Sequence, residues 1–481
     1  MNVAKAFAKN SILQLSGKLF GTLLGLLTFW LILHFFDTDG FGLFTTAMTY
    51  VTIFAIIVDF GLTLTTTQLI SEAGADEAKL LGNLVSLRTL TAVIFMSLCP
   101  ITAAFIPQSE GIMNLIVLGS ITYFISAVAQ MFQGVFQKRL NIGMVVVAET
   151  ANRVISITGI VIAGLTGAGI VGATVAFLVG IVVQLIIMLG ATNQHVKFRP
   201  QMDLAVWATI IKRSWPIGVS ILFNLLYLRG DIFFMWIFGI SPTEIGQYGS
   251  AYKVVDVVTM LPVTLMGLLL PILTMAWSQK RPKDFQQHLQ TGFDILAIIS
   301  VPFACGAIVL GVPLMMAVKP DLVLAGQVLR ILGPAIAVLC FGSLYGHAVV
   351  AINKQKPMML AYALVAVFAV TGYVLYIPLY GAWAAAWITL ASEILIGVLA
   401  YLVVTLTVKQ PLQLKQLGRV IIASVIMTVA ITFIPTPHVA LSVLMGMLVY
   451  GIVLAGLGGP NPNSLLKVFK ADKLMPPTIT A

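Results

Sequence analysis

Long apolar segments constrain this 481-residue chain more than any other feature of its sequence. Fourteen of them have roughly the 20 residues that an α-helix needs to cross the hydrocarbon core of a bilayer. Only 9% of the residues are charged and 59% are hydrophobic, which is too little polar surface to cover a soluble fold of this size. The sequence therefore predicts an all-α, polytopic membrane protein with 14 transmembrane helices. The predicted spans 1 to 14 are 11–33, 41–69, 83–106, 112–134, 143–165, 170–191, 215–239, 248–276, 289–315, 324–352, 357–377, 381–406, 418–434 and 438–457.

The 27 Lys and Arg residues indicate the orientation of these spans. Both termini and every second loop hold 21 of them, Arg88 among them, whereas the other loops hold only Lys319. Because loops rich in Lys and Arg remain in the cytoplasm, we expect both termini to be cytoplasmic. Insertion and contact with anionic lipid explain the net charge of +10, so a nucleic acid partner is not expected.

Short motifs repeat on the two sides of the longest loop. Phe41-Gly42, entering span 2, matches Ile245-Gly246, entering span 8, and Gly169, entering span 6, matches Gly381, entering span 12. The shared order predicts two six-helix lobes in a parallel repeat, related by a pseudo-two-fold axis along the membrane normal, with a central cavity. The predicted domains are an N-terminal lobe 1–191, a cytoplasmic linker with an amphipathic helix 192–214, a C-terminal lobe 215–406, spans 13 and 14 in 407–457 and a cytoplasmic tail 458–481.

Five cations lie inside the apolar segments. A charge within a bilayer is costly, so it faces a wet cavity or a partner. Cations at several depths would give an anion such as a phosphate a series of sites across the membrane. We therefore predict a substrate-binding role for Lys18, Arg153, Arg229, Lys253 and Arg330.

Four acids in the spans are candidates for charge pairs or for ion coupling, namely Asp59, Asp231, Asp256 and Glu393. Structural ion pairs remain an open alternative, because Lys18 with Asp59 and Lys253 with Asp256 could only hold the bundle together. Glu393 has no cation within one helical turn, so it could exchange a proton during transport or stay neutral without a role. Arg330, near a span end, could simply extend to the interface.

Enzyme chemistry has no support in the sequence. The five histidines have no metal-ligand spacing, and no phosphate-binding loop or nucleophile elbow occurs. We expect no catalytic residue, no metal site and no cofactor.

Several motifs resemble those of the polysaccharide flippases of the multidrug/oligosaccharidyl-lipid/polysaccharide exporter superfamily. They are Asn10 to Lys18, Phe41 to Phe44, Asp59 to Leu62, Arg229 to Asp231, Ile245 to Tyr248 and Ala251 to Lys253. The resemblance implies a flippase of the inner (cytoplasmic) membrane that carries a polyprenyl-pyrophosphate-linked oligosaccharide to the outer leaflet by alternating access. It also implies a cationic cavity, to which Lys18, Arg153, Arg229 and Lys253 would contribute, and partners that include membrane lipids, a glycan polymerase or glycosyltransferases.

Three other functions stay open at this point. Fourteen spans are also similar to the lipid II flippase branch, although Lys18 is the only cation within span 1. A drug or cation antiporter of the same superfamily predicts a cavity dominated by acids and aromatics. A non-transporting scaffold of a glycan-assembly complex predicts that every charge in the spans is paired.

Overall fold

The computed structural model describes residues 3–71, 76–139, 142–434 and 436–459. This part of the chain forms α-helices and one short 3₁₀ helix, Pro107–Ser109, with no β-strand. The helices are α1 Val3–Asp59, α2 Leu62–Ser71, α3 Glu77–Ala103, α4 Met113–Lys138, α5 Ile142–Thr166, α6 Gly169–Asn193, α7 Leu204–Ile237, α8 Pro242–Ser278, α9 Pro282–Val318, α10 Val323–Ala351, α11 Gln355–Val408, α12 Lys415–Phe433 and α13 Val439–Gly456.

Eleven helices in the described residues are long and apolar enough to cross a membrane. Two of these helices, α1 and α11, hold more than one span. Their apolar segments have 44 and 54 residues, which would be roughly 66 and 81 Å long as straight helices. The hydrocarbon core of a bilayer is only about 30 Å thick. Each contains one residue with non-helical backbone angles, Asp37 in α1 and Gly381 in α11. The protein is thus an all-helical, multi-pass membrane protein, as predicted, and the count of fourteen spans and the orientation stay predictions.

The chain forms two compact units. The first contains Met1–Gly249 and Val374–Gly381, and the second contains Ser250–Tyr373 and Ala382–Ala481. The predicted lobe and linker boundaries remain predictions, and most of the predicted tail 458–481 lies outside the described residues. The repeat-matched Gly169 and Gly381 both have a positive φ, a conformation that suits glycine where a chain turns between two helices.

Helices α1 to α7 pack together in the first unit, with α1 on α5, α5 on α6 and α3 on α4. Phe132, Phe136 and Met188 belong to a buried apolar cluster. The amphipathic segment predicted at the cytoplasmic surface is the first part of the continuous helix α7. Its Trp207 and Ile210 are buried in the same cluster, so this segment is part of the first unit.

The segment before α7 is attached to the beginning of α3. Lys79 and Asp203 form an ion pair of 3.0 Å, and Asn83 Oδ1 accepts a hydrogen bond from the Asp203 backbone N–H at 2.8 Å. Asp203 also accepts from the N–H groups of Ala205 and Val206, so it caps α7. The hydrogen bond with Lys79 and those with the backbone hold the pKa of Asp203 below its ordinary value of 3.8.

In the second unit, α9 packs against α10 and against the C-terminal helices α12 and α13. Prolines lie inside α8, α9 and α10, Pro302 in α9 among them. A proline at this position leaves the carbonyl four residues earlier without its helical donor. That carbonyl belongs to Ile298, and the Tyr450 hydroxyl of α13 donates a hydrogen bond to it at 2.8 Å. The carbonyl that Pro302 leaves free thereby becomes a point of contact between α9 and α13.

Candidate functional site

A stripe of glycines brings α1 close to α5. An added Cβ at Gly17 would lie 2.8 Å from methyl groups of Val146. At Gly21 it would lie 3.3 Å from Cζ and Nε of Arg153, and at Gly25 it would lie 3.5 Å from Nη1 of Arg153. Small residues four apart predict this close contact between helices, and the structure shows in addition that two of the three glycines accommodate a guanidinium group.

Arg153 is held on this stripe by α1. Its Nη1 donates a hydrogen bond to the Gly21 carbonyl at 2.7 Å, while the residue as a whole is exposed. Glu149, one turn earlier on α5, interacts electrostatically with both Arg153 and Lys18. Neither cation has an ion-pair partner within 4 Å among the residues that the structure describes. Since a guanidinium has five N–H donors in a planar fork, Arg153 can still bind an anion bidentately while it bonds to Gly21.

The other predicted cations are in three different surroundings. Arg229, on α7 in the first unit, is half-buried. Lys253 forms the predicted pair with Asp256, with Nζ and Oδ2 at 3.6 Å on one face of α8. Arg330 is exposed, and its aliphatic stem lies against Gly311 of α9.

Asp59 pairs with a residue that the sequence did not suggest. Its Oδ1 lies 2.8 Å from Nη1 of Arg88, so the predicted pairing with Lys18 is replaced by one with α3. Nη1 of Arg88 also donates to the Val58 carbonyl at 2.9 Å, and its Nε donates to the Ala127 carbonyl at 3.3 Å. Only 1% of Arg88 is exposed. The assignment of Arg88 to a cytoplasmic loop was therefore wrong.

The position of Arg88 explains how α1 ends. The chain leaves the helix at Asp59, and the next two residues, Phe60 and Gly61, both have positive φ. Arg88 bonds to the Val58 carbonyl and to the Asp59 carboxylate just before this break, where a cation is favourable near the C-terminus of a helix. The signal in the sequence was that Arg88 lies five residues inside predicted span 3.

Two of the remaining acids are bonded within their own units. Asp231 is fully buried and accepts hydrogen bonds from the Tyr248 hydroxyl at 2.6 Å and from the Ile232 N–H at 2.8 Å. Asp256 is bound to Lys253, as described above.

Glu393 has a different environment. It is 3% exposed, and in the described part of the chain its Oε1 has no hydrogen-bond partner. The titratable groups that interact with it electrostatically are Cys340 of α10 and Tyr362 of α11. A buried carboxyl group with an unsatisfied oxygen is costly when it is ionised.

Two family models match the sequence. A family described as "Polysaccharide biosynthesis protein" matches residues 7–277, which is more than half of the chain. A family described as MatE matches residues 216–376. None of the curated proteins compared with this sequence matches it.

Solved structures show the same fold. One is "Lipid II flippase MurJ, inward closed conformation", with a TM-score of 0.76 and 16% identity, covering 92% of this chain and 98% of the other. Another is an inward-facing multidrug resistance MATE family transporter of the MOP superfamily, with a TM-score of 0.64 and 15% identity, covering 83% and 98%. A MOP superfamily transporter from Pyrococcus furiosus, whose title reports a binding pocket of reverse polarity, has a TM-score of 0.59 and 15% identity, covering 84% and 96%.

These identities show the fold alone, which is that of flippases and transporters of the MOP superfamily. The matched families contain transporters rather than enzymes, as the sequence predicted.

Proposed function

Because the chain belongs to the polysaccharide biosynthesis protein family, we propose that it moves a polyprenyl-pyrophosphate-linked oligosaccharide from the cytoplasmic to the outer leaflet of the inner membrane. Transport would follow alternating access through a cationic cavity. The polyprenyl tail would remain in lipid while the pyrophosphate and sugars pass through the protein. Membrane lipids are then obligatory partners, and a polymerase or glycosyltransferases would act on the same substrate.

The observation that carries this proposal is the arginine on the glycine stripe of α1. Arg153 is oriented by its bond to the Gly21 carbonyl, it is exposed, and Lys18 is near enough to share an electrostatic interaction with Glu149. A planar guanidinium beside an ammonium group matches a pyrophosphate, because the first binds two oxygens at once and the second adds a point charge. A potential negative inside would favour export of the anion by about 2.3 kcal/mol per charge per 100 mV.

Transport in proteoliposomes tests the proposal. The lipid-linked oligosaccharide is placed in one leaflet, and its appearance in the other is followed with an impermeant glycosidase. We expect Arg153→Ala to slow transport more than about tenfold, since the loss of a hydrogen bond between charged groups costs about 1.5–3 kcal/mol. Arg281, an exposed residue that pairs with Asp284, supplies the matched control Arg281→Ala, which should transport normally. Normal transport by Arg153→Ala would refute the role of this site.

A second candidate function is cation or drug antiport, favoured by the MatE match over residues 216–376, and a third is lipid II transport, favoured by the structural likeness. The same vesicles decide among them. A lipid-linked oligosaccharide that is transported faster than lipid II, with no movement of an organic cation, supports the proposal. Faster transport of lipid II would instead support the lipid II flippase, and movement of an organic cation would support the antiporter.

The scaffold alternative predicts that every charge in the spans is paired. Asp59 with Arg88 and Lys253 with Asp256 fit it. Arg153 and Lys18 do not, since neither forms an ion pair within the described residues.

Among the four predicted acids, Glu393 is the strongest candidate for ion coupling. The other three are bonded to Arg88, Tyr248 and Lys253, whereas Glu393 has an oxygen that no described residue satisfies. Glu393→Gln keeps the shape and removes the proton site. We expect transport by this variant to lose its response to an imposed proton gradient, and a full response would exclude the role.

A further inference from the structure

Helix α4 of the first unit carries a line of uncharged polar side chains along one side. Tyr123, Ser126, Gln130 and Gln133 follow one another at intervals of three or four residues, which places them on one face of an α-helix. All four are half-buried, and the line is about 15 Å long. The only charged residue in the sequence of α4 is its last one, Lys138. We call these four residues the polar face of α4.

The polar face is turned away from lipid. Val117 and Ile121 of α4 are 39% and 43% exposed, and exposed apolar side chains of a spanning helix are compatible with lipid tails. At about 3.6 residues per turn, these two residues lie on the side of α4 opposite to the polar face. A polar group within a span faces the interior of the bundle or water. The polar face therefore belongs to the interior side of the first unit.

The second half of α1 packs beside this face. A Cβ at Gly119 would lie 2.8 Å from Cε of Met48 and 3.2 Å from Cγ2 of Val51. One turn further along α4, the hydroxyl oxygens of Thr52 and Tyr123 are 2.8 Å apart. The single hydroxyl proton of Thr52 is donated to the Met48 carbonyl at 2.7 Å. Tyr123 therefore donates to Thr52, and its own oxygen remains an acceptor.

A second hydrogen bond leaves donors available. Nε2 of Gln130 donates to the hydroxyl oxygen of Ser126 at 3.2 Å. Within the described residues this is the one side-chain hydrogen bond of either group. The O–H of Ser126, the second N–H of Gln130 and its Oε1 can therefore bind a ligand. The polar face thus offers both donors and acceptors without a charge.

Uncharged sugars match this chemistry. Each sugar hydroxyl both donates and accepts hydrogen bonds, as do the hydroxyl and amide groups of the polar face. A phosphate or a carboxylate would instead leave water for a surface without a cation, which is costly. Side chains that only hold helices together would bond to neighbouring helices. In the described part of the chain, Tyr123 alone among the four does so.

The polar face lies at the level of the arginine on the glycine stripe. Helix α4 ends at Lys138 and α5 begins at Ile142, so positions along both helices can be measured from the same side of the first unit. Gln133 and Tyr123 are about 8 and 22 Å from the end of α4, and Arg153 is about 16 Å from the beginning of α5. An anion at Arg153 and a sugar on the polar face would thus be at the same level.

We propose that the polar face of α4, together with Thr52 of α1, binds the glycan of the lipid-linked substrate and that this glycan consists of uncharged sugars. The proposal rests on the proposed function and adds to it the class of sugar. The two parts of the substrate then have separate sites in the first unit. Arg153 binds the pyrophosphate, and the polar face binds sugar hydroxyls.

Equilibrium binding to the full chain in lipid nanodiscs separates the two sites. Three probes contain the same polyprenyl pyrophosphate, which is used alone, with a glucose trisaccharide or with a glucuronic acid trisaccharide. The unmodified protein should bind the glucose probe more than about tenfold more tightly than the glycan-free lipid, and also more tightly than the glucuronic acid probe. Tyr123→Phe combined with Gln130→Met keeps the shapes of the side chains and removes their hydrogen-bonding groups. This double variant should lose about tenfold in affinity for the glucose probe and bind the glycan-free lipid normally.

Asn114→Leu is the matched control. Asn114 is an exposed amide on the same helix and lies away from the polar face, so this variant should retain the full gain from glucose. Arg153→Ala should weaken the binding of all three probes.

The comparison of probes on the unmodified protein needs no variant. Tighter binding of the glucuronic acid probe than of the glucose probe would overturn the inference, as would a gain from glucose that survives in the double variant. If the glycan-free lipid binds and glucose adds nothing, the inference fails and the proposed function stands. If none of the three probes binds, both fail.

Discussion

Arg88 and Arg153 both lie in membrane-spanning helices of the first unit, but they differ in burial and in hydrogen bonding. These are the properties that distinguish an arginine that stabilises the fold from one that can bind a ligand. Arg88 is buried and divides its donors among Asp59, Val58 and Ala127. Arg153 is exposed and, among the residues that the structure describes, has one hydrogen bond, to a glycine carbonyl. An arginine inside an apolar helix is thus not a functional residue by itself. The number of its hydrogen bonds and its exposure decide whether it stabilises the fold or can bind a ligand.

Loss of Arg88 should have the largest effect on stability. Arg88→Ala leaves Asp59 charged without its partner, and breaking a buried ion pair costs about 3–5 kcal/mol. We expect the variant to unfold at a much lower temperature in detergent. Removing both charges with Arg88→Met and Asp59→Asn should recover most of the loss. If Arg88→Ala were as stable as the unmodified protein, the contrast between the two arginines would disappear.

Substitutions at two glycines of the stripe should affect transport and stability differently. Gly21→Ala places a methyl group 3.3 Å from the Arg153 guanidinium, which is a flexible side chain and can shift. We expect a several-fold rise in the apparent KM for the lipid-linked substrate and little change in the unfolding temperature. Gly17→Ala instead meets the methyl groups of Val146 at 2.8 Å, where overpacking costs about 1–3 kcal/mol. The main effect of Gly17→Ala should therefore be a lower unfolding temperature, and its effect on KM should be smaller than that of Gly21→Ala. Identical profiles for the two variants would argue against an anion site on the stripe.

Loss of the exposed ion pair between Lys79 and Asp203 should have the smallest effect on stability. Because folding lowers the pKa of Asp203, its contribution is complete above the ordinary value of 3.8 and is lost as the pH falls through the lowered folded value. The protection of the amide hydrogens of residues 196–206, measured relative to their intrinsic exchange rate at the same pH, should therefore fall at strongly acidic pH. In Lys79→Gln this protection should already be lower at neutral pH and should change less on acidification, whereas Lys283→Gln should behave like the unmodified protein. Equal exchange in both variants would show that the pair does not hold this segment.

The sequence predicted the helical membrane fold because hydrophobic length and charge asymmetry are properties of local segments. It also indicated that Phe41-Gly42 and Ile245-Gly246 are matched motifs, and Gly42 and Gly246 lie in turns that contact each other; the two-lobe repeat stays a prediction. The pairing of Lys253 with Asp256 was predictable because three residues separate them on one helix.

Partners from distant helices were not predictable in this way. Arg88 reaches Asp59 and Ala127 across three helices, and the Tyr450 hydroxyl binds the carbonyl that Pro302 leaves free. Such pairs depend on how the helices cross, which a single sequence does not encode in any local pattern. Glycines at four-residue spacing indicate a packing surface, but the contact of the stripe with Arg153 required the position of α5 on α1.

Equilibrium binding tests the central claim most directly, which is that Arg153 on the glycine stripe binds the anionic part of the substrate. Binding of a polyprenyl-pyrophosphate-linked oligosaccharide is compared with binding of the same oligosaccharide on an uncharged polyprenol. The unmodified protein should prefer the pyrophosphate by more than about tenfold, as the loss of a charged hydrogen bond implies. Arg153→Ala should lose this preference, and Arg281→Ala should retain it. A preference that survives Arg153→Ala would contradict the account.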